Sequence, residues 1–154
     1  MNVEDIMIRE VFTIDADATV KEAVKLMNKQ EIGCLIAVKD KKLLGIMTER
    51  DLLKKVLEHS KDPETTKVRE IMSKQLVTGA PHMSVADAAR LMIKENVKKL
   101  PIMINDRLIG LITLTDVARS ARLETQMSDL MKELSRNGWL PPKRMKKVLD
   151  YYIS

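Results

Sequence analysis

The stretch Gly45–Asp51 reads GIMTERD, and the chain returns to it as GLITLTD at Gly110–Asp116. Glycine, threonine and aspartate recur in the same places, with apolar residues between the glycine and the threonine. The offset of 65 extends well beyond this stretch. Residues 3–57 lie over 68–122 without a gap: Val3, Ile6 and Met7 fall on Val68, Ile71 and Met72, Thr13 on Thr78, Val20 on Val85, and Ala23 on Ala88. Leu26 and Met27 fall on Leu91 and Met92, Leu35 on Leu100, and Leu43 on Leu108. A long ungapped repeat of this kind is the mark of one supersecondary unit present twice. HSKDPETTK, His59 to Lys67, is polar, holds a proline and reads as a linker. The expected organisation is a first unit at 1–58, a linker at 59–67, a second unit at 68–122 and an extension at 123–154.

The same elements can be read in each copy. VFT (Val11 to Thr13) and LVT (Leu76 to Thr78) are short strand candidates. An amphipathic helix follows, with Val20, Ala23, Val24 and Met27 on one face of the first copy and Val85, Ala88, Ala89 and Met92 on one face of the second. Thr19 and Ser84 stand where the N-caps should be. CLIAV and LLGIM then read as a hairpin across KDKK, and LPIMI and LIGLI as a hairpin across NDR. Their apolar residues are consecutive, so both faces of these strands should be buried. Leu52, Leu53, Val56 and Leu57 mark the stripe of a last helix. The fold class is mixed α/β (α+β), in the order β-α-β-β-α twice.

Composition bounds the function. The chain has 154 residues, 45% hydrophobic and 32% charged, as a globular protein should. No apolar run approaches the roughly 20 residues of a membrane helix, and the N-terminus MNVEDIMIRE has no secretory pattern. With one cysteine, Cys34, no intrachain disulfide can form, so a cytoplasmic protein with no membrane partner is expected. His59 and His82 have no metal-ligand spacing around them, so no metal site is expected. The sequence has no nucleophile–base pair and no Gly-rich phosphate loop, so neither catalytic residues nor a catalytic cofactor are expected.

A Thr-x-x-Asp that opens an apolar helix is close to a capping box, in which the two side chains satisfy helix N–H groups. Capping explains one such motif without a ligand. Gly45 and Gly110 similarly suit close strand packing.

The tandem unit, with GIMTERD and GLITLTD at its final strand-to-helix junctions, resembles a pair of cystathionine-β-synthase (CBS) domains. VEDIM and VREIM ahead of each first strand, ATVKEAVKLM and MSVADAARLM on the first helices, and VKKLPIM on the second strand of copy two add to the resemblance. It covers about residues 1–122. The resemblance implies two CBS units packed by pseudo-twofold symmetry, two clefts between them that bind AMP, ADP, ATP or S-adenosylmethionine, and a homodimer. An adenosine ligand offers a ribose diol, which a carboxylate can accept from, and usually a phosphate, which a helix start can hold. Asp51 and Asp116 are therefore the candidates for ribose, and Thr48 and Thr113 for phosphate or ribose oxygens. The base should lie against Ile14, Asp15 and Ala16 in one copy and Gly79, Ala80 and Pro81 in the other. Arg50, Lys98 and Lys99 are candidate phosphate partners. Capping and binding can coexist at these residues.

Beyond the resemblance, Leu123, Met127, Leu130, Met131 and Leu134 continue a helical stripe to about Arg136, and Asn137-Gly138 is a plausible stop. Such a stripe must bury against the module's own surface, a second subunit or another protein, and subunit contact is the favoured expectation. A short basic helix from Lys143, with Met145, Val148, Leu149 and Tyr152 on one side, is expected after Trp139, Leu140, Pro141 and Pro142. The net charge of +5 leans on this tail, through KRMKK at Lys143 to Lys147. That pattern suits a solvated face or an anionic partner. Aromatics are 3% of the chain, so nucleic acid is not an expected partner. The functional expectation is a regulatory module that senses an adenosine ligand and signals to a separate, unidentified target protein. A ligand-free interaction scaffold is the alternative.

Overall fold

The computed structural model describes residues 1–74, 77–120 and 124–138. The chain divides into two compact bodies, and the division does not follow the repeat. The first body is Glu10–Leu76; the second joins Met1–Arg9 to the chain from Val77 onward. Each repeat's leading segment, VEDIM or VREIM, therefore belongs to the body built on the other repeat.

In the first body, β1 (Thr13–Asp15), α1 (Val20–Gln30), β2 (Cys34–Lys39) and β3 (Lys42–Thr48) follow the expected order. The sheet order is β1-β2-β3. β1 runs parallel to β2, pairing Thr13 with Ile36, and β2 runs antiparallel to β3, pairing Cys34 with Thr48. The strand expected at Val11–Thr13 thus begins two residues later, where α1's crossover lets the chain pair with β2. Thr19 caps α1 as expected: its side chain accepts from the Glu22 N–H at 3.2 Å, and the Glu22 carboxylate accepts from the Thr19 N–H at 2.8 Å. The β2–β3 turn has Asp40 and Lys41 at φ 49° and 63°, the left-handed pair that matches strand twist in a two-residue hairpin.

The helix after β3 opens as α2 (Glu49–Asp51) and widens over Leu52–Leu57. Its end carries i→i+5 bonds, Glu58 N–H to Leu53 O at 3.1 Å and Lys61 N–H to Val56 O at 3.0 Å. The widening rotates the stripe predicted from a 3.6-residue turn. Val56 is buried, but Leu53 and Leu57 stand 58% and 69% exposed, so half of that stripe faces out. The linker is tied down rather than loose. Val20 N–H donates to Thr66 O at 2.8 Å and Lys21 N–H to Pro63 O at 2.9 Å, which satisfies two of the unpaired donors at the start of α1. α3 (Val68–Ile71) then closes the core: Val68 and Ile71 are fully buried with Leu35, Ala23 and Met47. Each such side chain contributes about 1.5–3 kcal/mol of transfer free energy.

The second body holds α4 (Val85–Lys94), β4 (Lys99–Ile104), β5 (Arg107–Thr113), α5 (Leu114–Ser120) and α6 (Glu124–Arg136). β4 and β5 form an antiparallel pair that joins Lys99 to Thr113, with Asn105 and Asp106 at positive φ in the turn. Ser84 caps α4, accepting from the Asp87 N–H at 3.0 Å. The strand expected at Leu76–Thr78 is not formed by its described residues, Val77 and Thr78, and Leu76 lies outside them. What remains of it is one parallel bridge between Gly79 and Ile102, in which Gly79 N–H donates to Pro101 O and Met103 N–H donates to Gly79 O, both at 2.9 Å. Val3 and Met7, from the other repeat, fill the core beside Ala88, Met92, Leu100 and Ile112. The expectation that the central strands bury both faces holds: Leu35, Ile36 and Ala37, and likewise Leu100 and Ile102, are at 0% exposure.

α6 ends as expected. Asn137 N–H donates to Leu134 O at 3.0 Å, and Gly138 takes φ 75°. The described part of its apolar face packs within the chain, where subunit contact was expected. Leu130 and Met131 pack on the second body's core, Leu134 is buried, and Glu133 pairs with Arg90 at 3.0 Å. Leu123, the Met127 side chain and the expected basic helix from Lys143 onward lie outside the described residues. No helix among the described residues is long and apolar enough to cross a membrane.

Candidate functional site

Each repeat brings its threonine and aspartate together where the last strand turns into helix. Asp116 Oδ2 accepts from the Thr113 N–H at 2.9 Å and from the Thr113 hydroxyl at 2.7 Å, while Thr113 Oγ1 accepts from the Asp116 N–H at 3.1 Å. Asp51 and Thr48 repeat this with distances of 2.9, 3.1 and 3.3 Å. These are reciprocal capping boxes, so one oxygen of each carboxylate is already committed to its own main chain. The capping reading of the motif is thus realised in both copies. Replacing Asp116 by alanine should destabilise the second body by about 1 kcal/mol through the lost cap, read as a lower urea midpoint at unchanged slope. A loss under a few tenths would mean that water replaces the carboxylate at no penalty.

The second carboxylate oxygen distinguishes the copies. Asp51 Oδ1 pairs with Lys55 Nζ at 3.1 Å, and the same ammonium donates to Ile71 O at 2.9 Å. The residue at Lys55's position in copy two is Ser120, whose hydroxyl donates to Val117 O at 2.8 Å. Among the described residues, Asp116 Oδ1 has no hydrogen-bond or ion-pair partner. The flanks differ as well. Lys99 is the cross-strand partner of Thr113, so the two side chains share a face of the hairpin. Lys98 is exposed, and its carbonyl accepts from the Leu114 N–H at 2.9 Å. In copy one the corresponding carbonyl is that of Gly33, which accepts from the Glu49 N–H at 3.1 Å. The Glu49 carboxylate lies over Gly33, 3.4 Å from where a Cβ would stand. Cys34, partly buried, is the cross-strand partner of Thr48.

The remaining candidates are placed as follows. Ile14 sits in β1 opposite Ala37 and is partly buried. Asp15 is exposed; its Oδ1 accepts from the Asp17 N–H at 2.7 Å and its Oδ2 lies 3.5 Å from Lys39 Nζ. Ala16 is fully buried, its N–H donating to Val38 O and its carbonyl accepting from Arg69 N–H, both at 2.9 Å. In the second body Gly79 and Pro81 are buried and Ala80 is exposed. Arg50 is exposed and forms no ion pair among the described residues. Beside Asp15, Asp17 binds Lys39 at 2.8 Å and Arg69 at 2.6 Å, and these cations, Lys39 foremost, hold its carboxyl below the usual carboxylate range. The structure thus joins Thr48 to Asp51 and Thr113 to Asp116 by hydrogen bonds, and it sets Lys99 across the hairpin from Thr113.

Sequence reasoning missed two participants. Lys55 and Glu49 line the copy-one corner, and an Asp-x-x-x-Lys spacing, together with the substitutions Glu49 for Leu114 and Lys55 for Ser120, was their signal. The close packing expected at the glycines is present. A Cβ on Gly45 would fall 2.4 Å from Ser73 O, and one on Gly110 would fall 2.5 Å from Met7 Sδ. The glycine before each Thr-x-x-Asp admits the other repeat's leading segment. Ser73 pairs with Ile46 (3.1 and 2.9 Å), and Ile8 with Leu111 (2.8 and 2.9 Å).

The CBS-domain family model matches the chain twice, at residues 3–58 and 68–123. The chain belongs to the CBS-domain family. Among CBS proteins, it is similar to the CBS domain-containing protein YhcV of Bacillus subtilis, with 35% identity over 117 residues, covering 76% of this chain and 83% of that protein. It is also similar to the solved structure of a signal-transduction protein with CBS domains from Burkholderia ambifaria, at TM-score 0.74 and 30% identity, covering 79% and 94% of the two chains. A third likeness is to the CBS domain pair of protein MJ0100, solved in complex with 5′-methylthioadenosine and S-adenosyl-L-methionine, at TM-score 0.69 and 27% identity, covering 78% of this chain and 94% of that one.

Proposed function

We propose that this CBS pair is a cytoplasmic, homodimeric regulatory module that binds an adenosine-containing ligand, AMP, ADP, ATP or S-adenosylmethionine, at a Thr–Asp corner and signals its presence to a separate protein. The observation that carries the reading is the Thr113–Asp116 corner. Its carboxylate is oriented by two hydrogen bonds through Oδ2, while Oδ1 has no partner among the described residues. An oriented carboxylate oxygen is what a ribose diol needs, because a charged acceptor roughly doubles the strength of each hydroxyl bond. The complex of the similar MJ0100 pair with two adenosine compounds supports the ligand class. The base would lie along Gly79–Pro81, and along Ile14–Ala16 in the other copy, where Thr48, Asp51 and Arg50 would serve. Signalling requires only that the ligand bind one conformation of the module more tightly than another.

Saturation of Oδ2 in both copies, and of Oδ1 in Asp51, favours a second reading, an interaction scaffold without a small ligand. Thermal unfolding decides between them. A true ligand at 100 times its dissociation constant should add about 2.7 kcal/mol of stability. A melting temperature unmoved by AMP, ATP and S-adenosylmethionine alike would leave the scaffold.

A further inference from the structure

The apolar residues of the two leading segments do not tell them apart. Val3 and Val68 are both fully buried, and Met7 and Met72 are buried alike. Their main-chain seats also match. Val3 N–H donates to Met83 O at 2.8 Å and Glu4 N–H to Pro81 O at 3.0 Å, while Val68 N–H donates to Ala18 O and Arg69 N–H to Ala16 O, both at 2.9 Å. The offset of 65 carries each donor and acceptor onto its counterpart. What differs is charge. Glu4 stands in VEDIM where Arg69 stands in VREIM, and the residue opposite is changed in step. Arg69 Nε pairs with Asp17 Oδ1 at 2.6 Å, and Glu4 Oε1 lies 3.4 Å from Nδ1 of His82, the counterpart of Asp17. Lys39 Nζ lies 2.8 Å from Asp17 and 3.5 Å from Asp15, so these three groups carry one net negative charge. Ala80, His82 and Ile104, at the matching positions of the second body, include no carboxylate. A glutamate brought to Arg69's seat would lose the Arg–Asp bond and meet two carboxylates.

We infer that Asp17 selects which leading segment the first body accepts: its bond to Arg69 seats VREIM there, and its charge turns VEDIM away. Selectivity of this kind is a difference between two dockings, so the repulsion counts as much as the bond. The linker also holds VREIM close by, through the bonds of Val20 and Lys21 to Thr66 and Pro63. Tethering is indifferent to the sign of the charge at residue 69, so charge reversal separates the two causes. An exposed ion pair shifts an equilibrium only about 1.4- to fivefold, and like charges in contact oppose it by a similar factor. Replacing attraction by repulsion compounds the two, to roughly two- to 25-fold.

The test is amide exchange on the full chain, read at Ile46 and Ser73, whose N–H groups bond each other's carbonyls across the seam between β3 and the chain that follows VREIM. Arg69→Glu should speed both at least about threefold, and Arg69→Gln should speed them less. Adding Asp17→Arg to Arg69→Glu should bring them back to within about twofold of wild type. The pairing itself is read from nuclear Overhauser contacts of the Val3 methyls, which in the wild type reach Ala88 and Leu100. In Glu4→Arg/Arg69→Glu a second set, to Ala23 and Leu35, should appear, and adding Asp17→Arg should remove it. No faster exchange in Arg69→Glu, no recovery with Asp17→Arg, or no second set of Val3 contacts would overturn the role of Asp17 and leave tethering to decide the pairing. Should the reversals fail to fold, Arg69→Gln carries the test, and exchange as slow as in the wild type would overturn it.

Discussion

Valine in place of Gly45 is expected to destabilise the protein by at least about 2–3 kcal/mol, seen as a fall in melting temperature of roughly 5–10 °C. A single Cβ at this position already lies 2.4 Å from Ser73 O, and 3.0 Å from Met72 Sδ. The first obstacle is backbone, held by a reciprocal pair of bonds to Ile46, so it has no rotamer by which to withdraw. Relief must come from separating the leading segment VREIM from β3, which also uncovers the buried Val68 and Ile71. Gly110→Ala is the control. Its closest obstacle is Met7 Sδ, the end of a flexible side chain, so the loss there should be visibly smaller. Equal losses at both positions would show that the approach of backbone oxygen to Gly45 is not what demands glycine.

Val3→Asp should produce the other large effect, at least about 3 kcal/mol. Val3 is fully buried and packs in the cluster with Ala88, Met92 and Leu100. A carboxylate there has no charged partner in that cluster. The location of the damage is the sharper expectation. Although Val3 belongs to the first repeat by sequence, amide exchange should accelerate in β4, β5 and α4, while β1–β3 keep their protection. Loss of protection confined to residues 10–74 would contradict the assignment of Met1–Arg9 to the second body.

Much of this fold was legible because its signals are local. Thr19 and Ser84 cap the helices they precede, and the apolar runs Leu35–Ala37 and Leu100–Ile102 bury both faces. Asn137-Gly138 ends α6. The exchange of leading segments was not legible. VEDIM and VREIM are near-copies, and no periodicity within a segment says which of two similar sheets it will cover. The exposure of Leu53 and Leu57 was missed because a 3.6-residue stripe was projected through a helix that widens. At the site the residues were legible and their state was not. Thr-x-x-Asp spacing serves a cap and a ligand equally, and only the positions of Oδ1 and of Lys55 separate Asp116 from Asp51.

The traded segments also set an order on biosynthesis. The earlier sheet lacks its edge partner until Ser73 has left the ribosome, and Val3 waits for a core whose last strand ends at Thr113. At roughly 5–20 residues per second, that wait lasts on the order of ten seconds. Through that interval Val3 and Met7 stay uncovered on the nascent chain, where a chaperone would find them.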